Sequence, residues 1–188
     1  SELSLLDVSV QPIAGATLDD FDPLQLNRLK EIIRSNPGGE KTLLELTDEE
    51  LEFALRLISK DGDKLIPTMT GLLLLGKSDS LGRLVPTAKA TFQVLEGTNV
   101  KVNEETSKPI LEVLELFQSY IKPWNSENEF EYDLFRIPVP EFSYAAIREG
   151  LINAFCHRDY SMLGNVRVLI DDEGMSITNP GGFIEGVN

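Results

Sequence analysis

Residues 69–78 read MTGLLLLGKS, and the fold turns on how that stretch is taken. From Gly71 onward the letters satisfy the phosphate-binding loop pattern G-x-x-x-x-G-K-[ST], with Gly71, Gly76, Lys77 and Ser78 at the required positions. Such a loop follows a buried strand, wraps backbone N–H groups around phosphates and opens a helix. Four leucines at the variable positions would stand in water beside the phosphates. Residues 61–68, where the strand should lie, carry turn residues and a proline. Thr68 is placed to cap a short buried helix instead, with Gly76 as its stop and Lys77 near its negative end.

Working outward, Asp22-Pro23 supplies an N-cap and an N1 proline. Leu24, Leu26, Leu29, Ile32 and Ile33 follow on one helical face until Asn36-Pro37-Gly38-Gly39. Thr47 and Glu50 form a capping box ahead of Leu51, Ala54, Leu55 and Ile58, which predicts a second helix, and Asp61-Gly62-Asp63 is a turn. Residues 88–95 alternate and read as a strand, residues 96–99 as a turn, and Val100-Lys101-Val102 as the start of a partner strand. A helix is expected from Pro109 to Tyr120, with Ile110, Val113, Leu114, Phe117 and Tyr120 on one side. Residues 130–139 are extended. Ser143 caps a further helix through His157, and strands are expected over residues 166–170 and 175–178. Helix and sheet mix without a regular βαβ alternation, so the expected class is α+β.

The chain has 188 residues and a formal net charge of −14. So acidic a surface repels phosphate backbones, and DNA contact is expected only through domains outside this chain. A single cysteine, Cys156, excludes an internal disulfide and a multi-cysteine zinc site. A single histidine, His157, excludes a histidine-rich metal site within one chain. The apolar run of residues 72–75 is far too short to span a bilayer, and SELSLLD has neither a basic nor a long apolar signal region. No membrane role and a cytoplasmic location are therefore expected.

The chemistry is concentrated in residues 144–161, YAAIREGLINAFCHRDYS. On a helix, Tyr144, Ile147, Leu151, Ala154 and Phe155 make the apolar stripe, while Glu149, Asn153 and His157 recur at i, i+4 and i+8 on the other side. Two readings stand. The triplet is a solvated polar face. Or the Asn153 carbonyl oxygen holds a magnesium ion and Glu149 orients or deprotonates a water as general base. His157-Arg158-Asp159 also suggests the kinase catalytic loop, but the asparagine that loop needs would be at Gly164, and the neighbouring kinase signatures are missing.

The run from Arg148 to Gly186 combines E-x-x-x-N-A-x-x-H-R-D-Y with N-P-G-G about twenty residues later. It resembles the ATPase-like region of bacterial Schlafen AlbA-like transcriptional regulators, a family also described as related to the ATP-dependent DNA helicase RecG. That region is similar to the GHKL, or Bergerat-fold, ATPases such as gyrase B, MutL and histidine kinases. The helices at FDPLQLNRLKEIIRS, LTDEELEFALRLI and PTMTGLLLLGK resemble the same family's middle region.

The resemblance implies ATP and Mg2+ as cofactors, with Glu149 as the catalytic base. It implies Asn153 as the magnesium-coordinating residue, and His157 and Arg158 where the helix end meets the nucleotide. Asn179 and Gly181 then occupy the first two fixed positions of the D-x-G-x-G adenine box. Asn179 stands where that box has Asp, and Phe183 where it has its second glycine. An amide accepts a hydrogen bond from adenine without the strength a carboxylate adds. The competing reading of NPGG is a turn that ends a strand.

The implied organisation is a tail of an upstream AlbA-like domain or linker over residues 1–20, then a middle α+β region over 21–105. Residues 106–188 would be the N-terminal half of a GHKL-like α/β sandwich. The expected function is a piece of a bacterial DNA-binding transcriptional regulator. It contributes a nucleotide-binding regulatory region, is itself catalytically silent, and belongs to a protein open to homo-oligomerisation. The alternatives are a helicase-related ATPase and an interaction module that has lost its nucleotide.

Overall fold

The computed structural model describes residues 10–38, 40–132, 135–180 and 182–183; for residues 127–132, 135–140 and 182–183 it describes the backbone alone. The fold is α+β, as the sequence implies. Two compact units divide it: residues 1–86 with 107–112, and residues 87–106 with 113–188.

In the first unit, α1 (Pro23–Ser35) starts where Asp22 Oδ1 accepts from the Leu24 N–H at 3.0 Å, with Pro23 at N1. The capping box on α2 (Asp48–Ala54) is present in both directions, Thr47 with Glu50. The helix ends earlier than its apolar spacing suggests. Arg56 adopts the left-handed conformation at φ +57°, and the Leu57 N–H turns back to the Glu52 carbonyl. Ile58 therefore opens β1 (Ile58–Asp61), which pairs antiparallel with β2 (Lys64–Pro67) across the Asp61-Gly62-Asp63 turn. A strand does precede Thr68, contrary to the sequence expectation. Pro67 is tolerated because it is the last residue of a two-stranded ribbon.

After Thr68 the chain enters α3 (Met69–Leu75), with Gly71, Leu72, Leu73 and Leu75 buried. Thr68 Oγ1 accepts from the Gly71 N–H and donates to the Arg56 carbonyl, which caps α3 and fixes it on the β1 entry. Gly71 has a steric role. A Cβ there would collide with the Leu57 carbonyl oxygen and stand 2.9 Å from Phe21 Cζ. A second short helix, α4 (Ser78–Leu84), follows directly and was not expected from sequence. Lys77 joins α3 to α4. Its N–H donates to the Asp20 carbonyl at 2.9 Å and its ammonium to the Asp19 carbonyl at 2.6 Å.

Asp20 is the buried polar centre of this unit. Its carboxylate accepts from the Thr17 N–H at 2.8 Å, from Ser80 Oγ at 2.7 Å and from Arg83 Nη2 at 2.7 Å. Burial alone would raise the Asp20 carboxyl, but these donors together hold it below its ordinary value of 3.8.

The second unit is a five-stranded sheet in the order β4-β3-β7-β8-β9. β3 (Ala90–Glu96) and β4 (Asn99–Thr106) form a hairpin with a register shift at Val94/Leu95. β3 then pairs in parallel with β7 (Val166–Asp171), which pairs antiparallel with β8 (Gly174–Asn179) and, through it, with β9 (Gly182–Phe183). That pairing draws the β3–β4 hairpin into the second unit, whereas the sequence reading groups residues up to 105 with the middle region. Ala90, Phe92 and Val94 of β3 share a buried face with Val166, Val168 and Ile170 of β7 and with Met175 and Ile177 of β8.

α5 runs over Ile110–Ile121. Its Phe117 and Tyr120 rings lie 5.9 Å and 5.5 Å from that of Phe92, an offset aromatic cluster on the buried sheet face. A separate ribbon of β5 (Glu127–Tyr132) and β6 (Phe135–Pro140) leaves the end of α5 and leads back to α6 (Tyr144–Cys156). Its base is closed by Asn125, which is buried. The Asn125 amide nitrogen donates to the Phe142 carbonyl at 2.9 Å, and its amide oxygen accepts from the Phe142 N–H at 2.8 Å. No helix among the described residues is long and apolar enough to cross a membrane.

Two changes test these packing arguments. Gly71→Ala should cost about 1–3 kcal/mol in denaturant unfolding, since the Leu57 carbonyl is backbone and cannot step aside. Asp20→Ala should cost about 2–3 kcal/mol at neutral pH, where three donors lose their acceptor. Because the folded Asp20 carboxyl lies below its unfolded value, the gap between wild type and Asp20→Ala should close as pH falls through and below the ordinary value of 3.8.

Candidate functional site

α6 is built as its sequence suggests. Ser143 Oγ accepts from the Ala146 N–H at its start, and Ile147, Gly150, Leu151, Ala154 and Phe155 are buried. Glu149 and His157 are exposed and Asn153 is half-buried, so the i, i+4, i+8 face looks outward. None of these three side chains is hydrogen-bonded to another described residue, and the Glu149 carboxylate is exposed while the Asn153 carboxamide is half-buried. His157 closes the helix, its N–H donating to the Asn153 carbonyl at 2.9 Å. Among the described residues no three His, Cys, Asp or Glu side chains cluster to hold a metal.

Asn179 ends β8, and its Nδ2 donates to the Ala154 carbonyl at 3.1 Å. The contact sets the two motif asparagines, Asn153 and Asn179, at one turn of α6. The Asn179 carboxamide oxygen accepts from no described residue. Gly181 lies outside the described residues. An amide at this position can donate to the Ala154 carbonyl, and an ionised carboxylate could not.

Arg158, expected where the helix end meets the nucleotide, lies just past α6 and is 5% exposed, among the most buried polar residues. Its Nη2 donates to the Gly164 carbonyl at 2.5 Å and the Met162 carbonyl at 3.2 Å, and its guanidinium lies 5.4 Å from the Tyr160 ring centroid. Nε and Nη1 are buried with no hydrogen-bond partner. Burial holds its pKa below the usual arginine range, and no carboxylate among the described residues is close enough to form an ion pair with it.

The neighbours of Arg158 lock the same turn. Tyr160 Oη donates to the Phe155 carbonyl at 2.8 Å, and Thr87 Oγ1 donates to the Tyr160 carbonyl at 2.8 Å. Burial pushes the Tyr160 phenol well above its ordinary range, so it stays an O–H donor. Asp159 accepts from the Ser161 N–H and Oγ in an Asx turn, and those bonds hold its carboxyl below the usual range. Gly164 has φ +116°, and a Cβ on it would stand 3.0 Å from Pro180 Cγ. Asn165 is also structural. Its Nδ2 donates to Thr91 Oγ1 at 2.7 Å and to Glu105 at 2.8 Å, tying the start of β7 to β3 and β4.

Sequence reasoning missed Tyr160, Thr87, Gly164 and Pro180. Only Gly164 and the Asp159–Ser161 spacing carry a local signal, because the other partners meet through the parallel β3–β7 pairing.

A family model described as "Domain of unknown function (DUF8451)" matches residues 4–91, which reaches into β3. The crystal structure of the DIP2311 protein from Corynebacterium diphtheriae is similar over 96% of this chain, with 25% identity and a TM-score of 0.69. This chain spans 35% of the length of that one. No curated protein matches.

Asn179→Asp should lose about 1–3 kcal/mol at neutral pH, with a carboxylate set against the Ala154 carbonyl. The new carboxyl would have its folded pKa raised above the unfolded one, so the loss should shrink on acidification as the group becomes a donor. Thermal unfolding of the variant across acidic and neutral buffers checks both parts.

Proposed function

We propose that the second unit is a GHKL-like nucleotide-binding region of a bacterial DNA-binding transcriptional regulator. The observation that carries this reading is the Asn179–Ala154 contact, which brings Asn179 to the turn of α6 that bears Asn153. A half-buried carboxamide at Asn153 and an exposed carboxylate one turn earlier at Glu149, neither hydrogen-bonded to another described residue, fit a magnesium–phosphate ligand. Bound Mg-ATP would supply the charge and the base-recognition surface. Asn153 would hold the metal through its carboxamide oxygen, Glu149 would orient water beside it, and the Asn179 carboxamide oxygen would accept from adenine.

His157 is exposed at the helix end and remains available to the phosphates. DNA would be met by domains outside this chain, as a net charge of −14 requires, in a cytoplasmic protein open to self-association. Nucleotide binding would act by biasing the arrangement of those domains rather than by turnover. The chain spans only 35% of its structural neighbour, which makes a regulatory part of a larger protein a fitting scale.

A second reading has its own support. Asn179, Arg158 and Tyr160 all spend donors on internal carbonyls, as they would in an interaction module without a nucleotide.

Calorimetric titration of Mg-ATP into the intact protein separates the two. The leading reading expects measurable binding, weakened roughly tenfold or more in Asn153→Ala, as loss of a metal-site partner commonly does. Equal affinity in wild type and Asn153→Ala removes the site. Lys77→Ala should leave the affinity unchanged, because its ammonium is held by the Asp19 carbonyl.

A further inference from the structure

Arg158 carries a charge into the interior where no carboxylate among the described residues forms an ion pair with it, Asp159 acting only at longer range, and two of its three nitrogens find no acceptor among those residues. A buried charge with so few partners is costly, and the contacts that offset part of that cost are to carbonyls of a single loop. Its one engaged nitrogen, Nη2, reaches two carbonyls of the following loop at once, Met162 and Gly164, while its Cζ lies over the Tyr160 ring, 5.4 Å from the centroid. Gly164 in turn backs onto Pro180, and Asn179, next to Pro180, returns to the Ala154 carbonyl of α6. The contacts close a circuit. It starts at Arg158, just past the end of α6, passes through Gly164 and Pro180, and returns to α6 where Asn179 donates to the Ala154 carbonyl.

We propose that Arg158 is a positioning residue that holds the 159–165 loop against the Asn179-Pro180 turn, setting that turn on α6 without touching a ligand. Lysine would be a partial substitute. It can donate to the loop carbonyls but has no planar group to lay on Tyr160. The ligand part of the proposal rests on the nucleotide reading above; the loop part does not.

Hydrogen exchange on the intact protein without nucleotide tests the loop. Arg158→Met should speed exchange at the amides of Ser161, Met162, Gly164 and Asn179 by about tenfold or more, with Arg158→Lys between it and wild type. Unchanged exchange at these amides overturns the proposal. Mg-ATP titration of a double-mutant cycle tests the positioning. Arg158→Met should weaken binding about tenfold in the wild-type background and less than about twofold in the Asn179→Ala background. Additive losses mean that Arg158 meets the nucleotide itself, which also overturns the proposal. If wild type binds no Mg-ATP, the nucleotide reading fails and the exchange result alone decides the loop. Should Arg158→Met not fold, Arg158→Lys carries both measurements.

Discussion

The parallel pairing of Ala90–Val94 with residues 166–170 is the constraint on which the second unit depends. Those strands are far apart in sequence, and a parallel pair cannot be closed by a tight turn. β4, α5, the β5–β6 ribbon and α6 all lie in the connection between them. The pairing is fixed by side chains on one face. Phe92 stands beside Val168, which stands beside Ile177, and all three are buried. A slip of one residue would turn that row to the opposite face, so the register is strongly specified. With the register set, β8 ends where Asn179 can reach the last turn of α6, and the candidate site follows from it.

The elements with a strong local signal were legible in the sequence. Capping residues at Asp22, Thr47, Thr68 and Ser143 marked four helix starts, and the alternation of β3, β7 and β8 marked strands. The end of α2 was not, because Leu55 and Ile58 continue the helical spacing while Arg56 takes a left-handed turn that nothing in an arginine announces. β2 was hidden by Pro67, since a proline argues against a central strand and says little about the last residue of a two-stranded ribbon. In the site, periodicity placed Glu149, Asn153 and His157 on the open face of α6. It could not place Arg158. A charged residue after a helix is expected in water, and the partners that bury this one are carbonyls, which leave no mark in side-chain patterns.

The match of GLLLLGKS to a phosphate-loop pattern has a physical explanation as well. Gly71 is small because the Leu57 carbonyl passes against the helix, and Gly76 because a Cβ there would stand 2.4 Å from the Leu72 carbonyl oxygen, with Leu81 Cγ at 3.1 Å. Lys77 is bound to the Asp19 carbonyl. Close backbone approach selects glycine in a packed helix pair as it does around a phosphate, and the letters alone do not separate the two causes.

Asn125 has a consequence of a different kind. By gripping both the N–H and the carbonyl of Phe142, and with the Glu141 N–H donating to the Ser126 carbonyl, it fixes the spacing between the end of α5 and the start of α6. The spacing is set at the base of the ribbon and does not depend on the ribbon's length. Insertions and deletions between residues 126 and 141 can therefore accumulate over evolution without moving α6.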